Sequence, residues 1–176
     1  VLKVRRPDIQ PVVEADLRLL ARLAEIAEHE SSAIARFRPR SLVQHFSRSL
    51  RRELDLDSEC HNAERIASLF ADNPDIVVPR VFWEWTGERM NVQAYVDGIA
   101  GRNLAEVDRA GLDRRLLAQR GTRAVLAMVL EEGFFHADPH PGNVFYLPGN
   151  RLAFIDFGMV GRLTPARRHQ VVDLLY

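Results

Sequence analysis

Apolar side chains along this chain change rhythm several times, and each rhythm predicts a different element. Val1-Leu2-Lys3-Val4 opens as a strand-like run that Pro7-Asp8 breaks. From Pro11, a residue suited to a first helical turn, Val13, Leu17, Leu20, Ala24 and Ala27 return at alternating spacings of four and three. Those spacings describe one apolar helix face, with Glu14, Arg18, Arg22, Glu25 and Glu28 largely off it. Pro39 stops the next segment, and Leu42, Val43, Phe46 and Leu50 start a second helical pattern. A third gathers Asn62, Ala63, Ile66 and Phe70 on the face that also carries Glu59, so a helix here turns a carboxylate toward the packed side. Asp55 and Glu59, at i and i+4, are a like-charge pair that costs a bare helix about 0.2–0.5 kcal/mol. A nearby cation relieves both burdens; the alternative is an acidic, solvated helix face.

Asn73-Pro74-Asp75 closes that helix. The β-branched and aromatic runs Ile76 to Trp85 and Arg89 to Val96 flank Thr86-Gly87-Glu88 and predict a hairpin. Asp97-Gly98 and Gly101 then loosen the chain and mark a lobe boundary. Leu112 to Phe135 is mostly helical in pattern, weakened at Gly121 by up to about 1 kcal/mol relative to Ala and ended by Glu131-Glu132-Gly133. Asn143 to Leu147 and Leu152 to Ile155 bracket Pro148-Gly149-Asn150 as a second hairpin. Thr164-Pro165 reads as a helix N-cap and first turn.

At 176 residues, 47% apolar and 27% charged, the chain has the size and content of one ordinary soluble domain, or of two small lobes sharing a cleft. Its 24 basic and 24 acidic residues cancel, so nothing global favours nucleic acid or an anionic membrane. Cys60 is alone and forms no intrachain disulfide, in keeping with a reducing compartment. No uninterrupted apolar run approaches the roughly 18 residues of a membrane span, and no signal peptide precedes the first element. The chain starts inside a strand-like run without an initiator Met and ends in a helical pattern at Tyr176, so further sequence is expected at both ends. All basic residues but Lys3 are Arg. Against that background Lys3 is expected where a compact, flexible point charge is needed and a planar guanidinium does not serve.

The chemistry concentrates in His136-Ala137-Asp138-Pro139-His140-Pro141-Gly142-Asn143 and Phe154-Ile155-Asp156-Phe157-Gly158. Asp138, an Asn five residues later and a later Asp-Phe-Gly have the layout of a protein-kinase-like catalytic loop and metal loop. Phosphoryl transfer asks for a Lys on the phosphates, a divalent metal bridging their oxygens and a carboxylate that orients the nucleophile. Magnesium takes hard oxygen ligands, one or two of them from protein. Asn143 and Asp156 fit that ligand pair, Asp138 the orienting carboxylate, and Lys3 the phosphate lysine with Glu59 holding it. Asp-Phe-Gly alone is a weak signal; four components in the right order are a strong one.

On these residues the chain resembles the UbiB-type atypical kinases, protein-kinase-like proteins linked to ubiquinone biosynthesis, over essentially its whole length. Val1 to Pro7 looks like the family's strand with its V-K-x-x-R-P sequence, which implies Lys3 as the nucleotide-binding lysine. Glu53-Leu54-Asp55 is similar to the family's E-x-D signature, which implies Glu53 and Asp55 at the cofactor site, and Glu59 falls where the lysine-pairing Glu is expected. Asp138-Pro139-His140-Pro141-Gly142-Asn143 matches the D-P-H-P-G-N catalytic loop, and Asp156-Phe157-Gly158 the metal loop. The 56 residues from Lys3 to Glu59 agree with the family's inserted helices. The family's K-x-G-Q motif and alanine-rich phosphate loop lie upstream of this strand, and its membrane helices are expected beyond Tyr176. Ala94 stands at a hinge position where the family often has Glu.

The resemblance implies an α+β, bilobal protein-kinase-like fold truncated at both ends, with a partial N-lobe at 1–97 and a partial C-lobe at 98–176. It implies ATP and Mg2+ as cofactors and ATP hydrolysis or phosphoryl transfer supporting lipid-quinone biosynthesis. The expected partners are nucleotide and lipid or quinone-biosynthesis proteins at a membrane, not nucleic acid, and the expected place of the full-length protein is the cytoplasmic side of a bacterial inner membrane. Other readings stay open. Ala137 in place of Arg, and a short segment after Gly158 with no Ala-Pro-Glu, disfavour a conventional protein kinase. A small-molecule kinase of the aminoglycoside or choline type, a non-catalytic nucleotide-binding scaffold, and a transition-metal hydrolase using His136, Asp138 and His140 are the alternatives.

Overall fold

The computed structural model describes residues 1–175. The opening run forms strand β1 (Leu2–Val4), which Pro7 ends. Helix α1 (Ile9–Glu30) starts two residues before Pro11, after a left-handed turn at Asp8. Pro11 still sits in the first helical turn, where its missing N–H breaks no intrahelical bond. A short helix α2 (Ser32–Ala35) leads to α3 (Pro39–Glu53), which packs back along α1. Arg51 clamps Glu14 across this pair through Nε and Nη2 at 2.7 and 2.9 Å. Of the predicted stripe on α1, Leu17 and Ala24 are buried.

Helix α4 (Leu56–Leu69) carries Glu59, Cys60, Ala63 and Ile66 into the interior, as its pattern predicts. Asp55 is not part of the helix. It takes an extended conformation as the N-cap and accepts hydrogen bonds from the Ser58 amide (3.1 Å) and hydroxyl (2.7 Å). Its charge therefore faces the positive end of the helix instead of stacking above Glu59.

The first predicted hairpin forms only in part. Pro79 has no N–H to give a ladder, and the run before it, strand β2 (Ile76–Val77), pairs elsewhere. Beyond Pro79 the pairing survives as a bridge between Val81 and Gln93, with Phe82 N–H donating to Val92 O and Ala94 N–H to Arg80 O. Trp83–Trp85 close into a single 3₁₀ turn. Strand β3 (Met90–Val92) runs antiparallel to β1, with Lys3 opposite Asn91.

After strand β4 (Ile99–Ala100) come helices α5 (Leu104–Arg109) and α6 (Arg114–Leu126). Asp113 caps α6 by accepting from the amides of Arg115 and Leu116. The helix widens into a π turn at Ala127–Glu132 and stops at Gly133, whose φ of 64° suits glycine. Strand β5 (Phe134–His136) follows, then the second predicted hairpin, β6 (Val144–Leu147) and β7 (Arg151–Phe154), in the register Val144 to Phe154. Strand β8 (Val160–Arg162) pairs with β5, and α7 (Pro165–Leu175) begins at Thr164, whose hydroxyl accepts from Arg167 N–H.

One four-stranded sheet has the order β2-β7-β6-β4, its β2–β7 pair parallel. Its buried residues Leu152 and Phe154 share a core with Cys60, Ala63 and Ile66 of α4, Leu117 and Met128 of the α6 stem, and Phe157. Among the described residues, no helix is long and apolar enough to cross a membrane.

Candidate functional site

Three residues from distant parts of the chain meet on one wall of a cleft. Lys3 Nζ donates to Glu59 Oε1 at 2.6 Å and lies 3.4 Å from Asp156 Oδ2. The strand sets Lys3 on one face of β1, the α4 pattern buries the Glu59 side chain to 6% exposure, and β7 delivers Asp156 in a left-handed conformation. Burial pushes the Lys3 pKa down, but the hydrogen bond and charge of Glu59, joined by the charge and hydrogen bond of Asp156, outweigh it and hold the group above its ordinary value. Lys3 is thus a stable cation, the nearby charge that the Glu59 position calls for.

The loop from Asp138 to Asn143 is folded by its own hydrogen bonds. His140 N–H donates to Asp138 O, Asn143 N–H to His140 O, and Gly142 N–H to His140 Nδ1 at 2.9 Å. A Cβ at Gly142 falls 2.4 Å from His140 Cε1, so only glycine lets the ring lie over the turn. Asn143 is buried, its Nδ2 donates to Asp138 O at 3.1 Å, and its carbonyl accepts from Ile155 N–H at 3.0 Å. Asn143 leads into β6, which pairs with β7 in the register Val144 to Phe154, two residues before Asp156.

His136, which is 2% exposed, fastens this loop to the segment just before Asp156-Phe157-Gly158. Its Nδ1 accepts from Asp138 N–H at 3.1 Å and its Nε2 lies 3.0 Å from Ile155 O, so the proton belongs on Nε2. Burial holds the imidazole pKa below its usual value, against the opposing pull of the Ile155 carbonyl and the Asp138 and Asp156 charges. Both ring nitrogens are committed to backbone, which removes His136 from a metal-ligand set. Among the described residues no group of three or more His, Cys, Asp or Glu is arranged to hold a metal ion, and the transition-metal hydrolase reading loses its ligands.

The cleft itself is lined by Lys3, Glu59 and Asp156, by apolar Val1, Pro79, Val96 and Ile155, and by Asn91 and Gln93. Glu53 and Asp55 do not line it. Glu53 borders a separate cavity with Arg52, Asn62 and Gly158 to Val160, and Asp55 caps α4. Asn62 donates from Nδ2 to Phe157 O at 3.1 Å and so ties α4 to the Asp-Phe-Gly loop. Sequence reading passed over Asn62, Asn91 and Gln93 as site residues and took His136 only for a possible ligand. Asn91 and Gln93 alternate with the apolar Met90, Val92 and Ala94, so the strand pattern puts them on its polar face.

A magnesium nucleotide fits this set of groups. Asn143 Oδ1 and the Asp156 carboxylate are hard oxygen donors of the kind magnesium takes, and Lys3, 3.4 Å from Asp156, is a cation suited to phosphate oxygens.

The fold and these residues define a protein-kinase-like protein. The profile of the ABC1 atypical kinase-like domain matches residues 1–176, and the chain belongs to that family. It is 35% identical over 179 residues to the "Probable protein kinase UbiB" of Aliivibrio fischeri (strain ATCC 700601 / ES114), covering 99% of this chain and 33% of that protein. The namesake from Xanthomonas euvesicatoria is 36% identical over 179 residues, with 98% and 32% covered. The chain therefore spans about a third of the length of the curated relatives it matches. The structure of the Rv3197–erythromycin complex from Mycobacterium tuberculosis aligns with a TM-score of 0.70 and 25% identity, over 99% of this chain and 46% of that one.

Proposed function

We propose that the chain carries the Mg-ATP site of an atypical kinase or ATPase that supports lipid-quinone biosynthesis, with residues 1–97 and 98–176 as the two partial lobes around it. The observation that carries this reading is Lys3 Nζ held at 2.6 Å from Glu59 and 3.4 Å from Asp156. A buried carboxylate fixes the lysine, and the lysine already faces the metal-loop Asp.

Lys3 binds the phosphate oxygens, and Glu59 keeps its ammonium from turning to solvent. Asn143 and Asp156 would hold a magnesium ion, which would supply neutralisation of charge on the phosphates. Asp138 accepts the proton of the attacking hydroxyl or water at a carboxylate oxygen and orients it. His136 holds Asp138 through its backbone amide. No Arg precedes Asp138 and few residues separate Gly158 from α7, which favours a small acceptor or water over a peptide. The names of the UbiB relatives support the quinone role, and with that role go lipid or quinone-biosynthesis proteins as partners at the cytoplasmic face of a bacterial inner membrane.

The test is ATP hydrolysis by the full chain against Asp156→Asn and Asp138→Asn. Loss of turnover in both is expected, with nucleotide binding retained in Asp138→Asn. Equal rates in all three proteins would sink the enzyme reading, and binding without turnover in the parent would leave a nucleotide-binding scaffold.

A further inference from the structure

Asp156 has a left-handed backbone, with φ 63°. That conformation is costly for a residue with a side chain, and it persists where the chain on either side is pinned. On the N-terminal side, Ile155 N–H donates to Asn143 O at 3.0 Å and Ile155 O lies 3.0 Å from His136 Nε2. On the C-terminal side, Phe157 is buried and its carbonyl accepts from Asn62 Nδ2 at 3.1 Å. Among the described residues no backbone N–H donates to that carbonyl, so the half-buried Asn62 amide is its partner. Asn62 stands three positions after Glu59 in α4, and residues so spaced are neighbours on a helix surface. One turn of α4 thus holds Lys3 by a carboxylate and the backbone beside Asp156 by an amide.

We infer that Asn62 is a positioning residue for the magnesium site. By fixing the Phe157 carbonyl it fixes the peptide that follows Asp156, and with it the direction of the Asp156 carboxylate. Its action passes through backbone and not through the ligand. This role rests on the magnesium nucleotide reading above and adds the group that aims one of the two protein oxygens. Outer groups that orient a metal ligand are worth about 10- to 100-fold in metal affinity. The Lys3–Glu59 pair does not depend on Asn62, so ATP without magnesium is held as before. A general loosening of the fold would instead weaken ATP in both conditions.

The experiment measures ATP affinity of the full chain by calorimetry, with Mg2+ and with chelator, for the unmodified protein and for Asn62→Leu, which has a similar volume and no donor. The unmodified protein is expected to bind ATP more tightly with Mg2+. Asn62→Leu should lose about 10- to 100-fold of the affinity measured with Mg2+ and keep the affinity measured with chelator. A folded variant that retains the whole gain from Mg2+ overturns the inference, and so does one that loses affinity equally in both conditions. If Asn62→Leu does not fold, hydrogen exchange on the unmodified protein decides. With Mg-ATP, compared with ATP and chelator, the amides of Phe157 to Met159 and those of α4 around Asn62 should be protected together. Protection confined to the loop overturns the inference. In all these cases the nucleotide reading stands. Equal ATP affinity of the unmodified protein with and without Mg2+ overturns the magnesium reading and this one together, and no ATP binding at all overturns the nucleotide reading as well.

Discussion

Replacing Lys3 and replacing Glu59 are not equivalent, because the two sit at different depths. The Glu59 side chain is 6% exposed and that of Lys3 43%. Lys3→Ala strands a carboxylate in the interior, whereas Glu59→Gln leaves an ammonium that still has Asp156 and solvent. Lys3→Ala is therefore expected to lower stability by about 1–3 kcal/mol and Glu59→Gln by clearly less, as read by urea unfolding. The reverse ranking would mean that the pair is not the buried element that fixes β1 to α4. His136 supplies a second residue-scale prediction, in pH. Its folded pKa lies below the ordinary 6.5. Between the two values the unfolded chain binds more protons, so this contribution is fully present above about pH 6.5 and is lost as the pH falls through the folded value. His136→Leu removes both ring hydrogen bonds and should be less stable at pH 7.5, with the gap to the parent shrinking toward pH 5. A gap that is constant across that range would show that the ring does not titrate as its burial demands.

At the scale of elements, one arginine joins three of them around the β6–β7 hairpin. Arg120 of α6 donates from Nη1 to the carbonyls of Gly149 and Asn150 in the hairpin turn, and its Nη2 lies 2.9 Å from Asp75, just before β2. Asp75 O in turn accepts from Leu152 N–H. Arg120→Met should keep the stem packed but free the turn, at a cost of about 1–3 kcal/mol and with faster amide exchange at Leu152; unchanged exchange there would argue that the β2–β7 pairing needs no such clamp. This tie also marks where sequence reading stopped working. The β6–β7 hairpin was legible because Pro148-Gly149-Asn150 is a local turn signal, and Asn150 takes the positive φ that such a turn asks for. The partner of β2 was not, since a parallel pair with β7 is set by a contact 76 positions away in the register Ile76 to Leu152. Strands β5 and β8 escaped for the same reason, being three residues each with no turn between them. Asp138, Asn143 and Asp156 stood out in the sequence because they lie close together along it. Asn91 and Gln93 did not, because nothing in a strand pattern tells which polar side chain will end buried.

For the molecule as a whole, the site joins the start of the chain to its last third. Lys3 belongs to β1 and Asp156 follows β7, and the α4 helix that carries Glu59 lies in the core with Phe154 and Phe157. A ligand that contacts both ends stabilises the complete fold and not one part of it. At a hundred times its dissociation constant, a ligand that binds only the folded state adds about 2.7 kcal/mol, roughly 5–11 °C of melting temperature for a domain of this size. Mg-ATP is therefore expected to raise a single melting transition of the full chain by that order, and ATP with chelator by less. Asp156→Asn should lose the magnesium-dependent part and keep the remainder, because Lys3 still meets the phosphates, while Lys3→Met should reduce both. Two transitions, only one of which moves with nucleotide, would mean that the β1 end and the β7 end are not held together by the bound ligand, and the ion pair between Lys3 and Asp156 would then be a contact of the nucleotide-free protein alone.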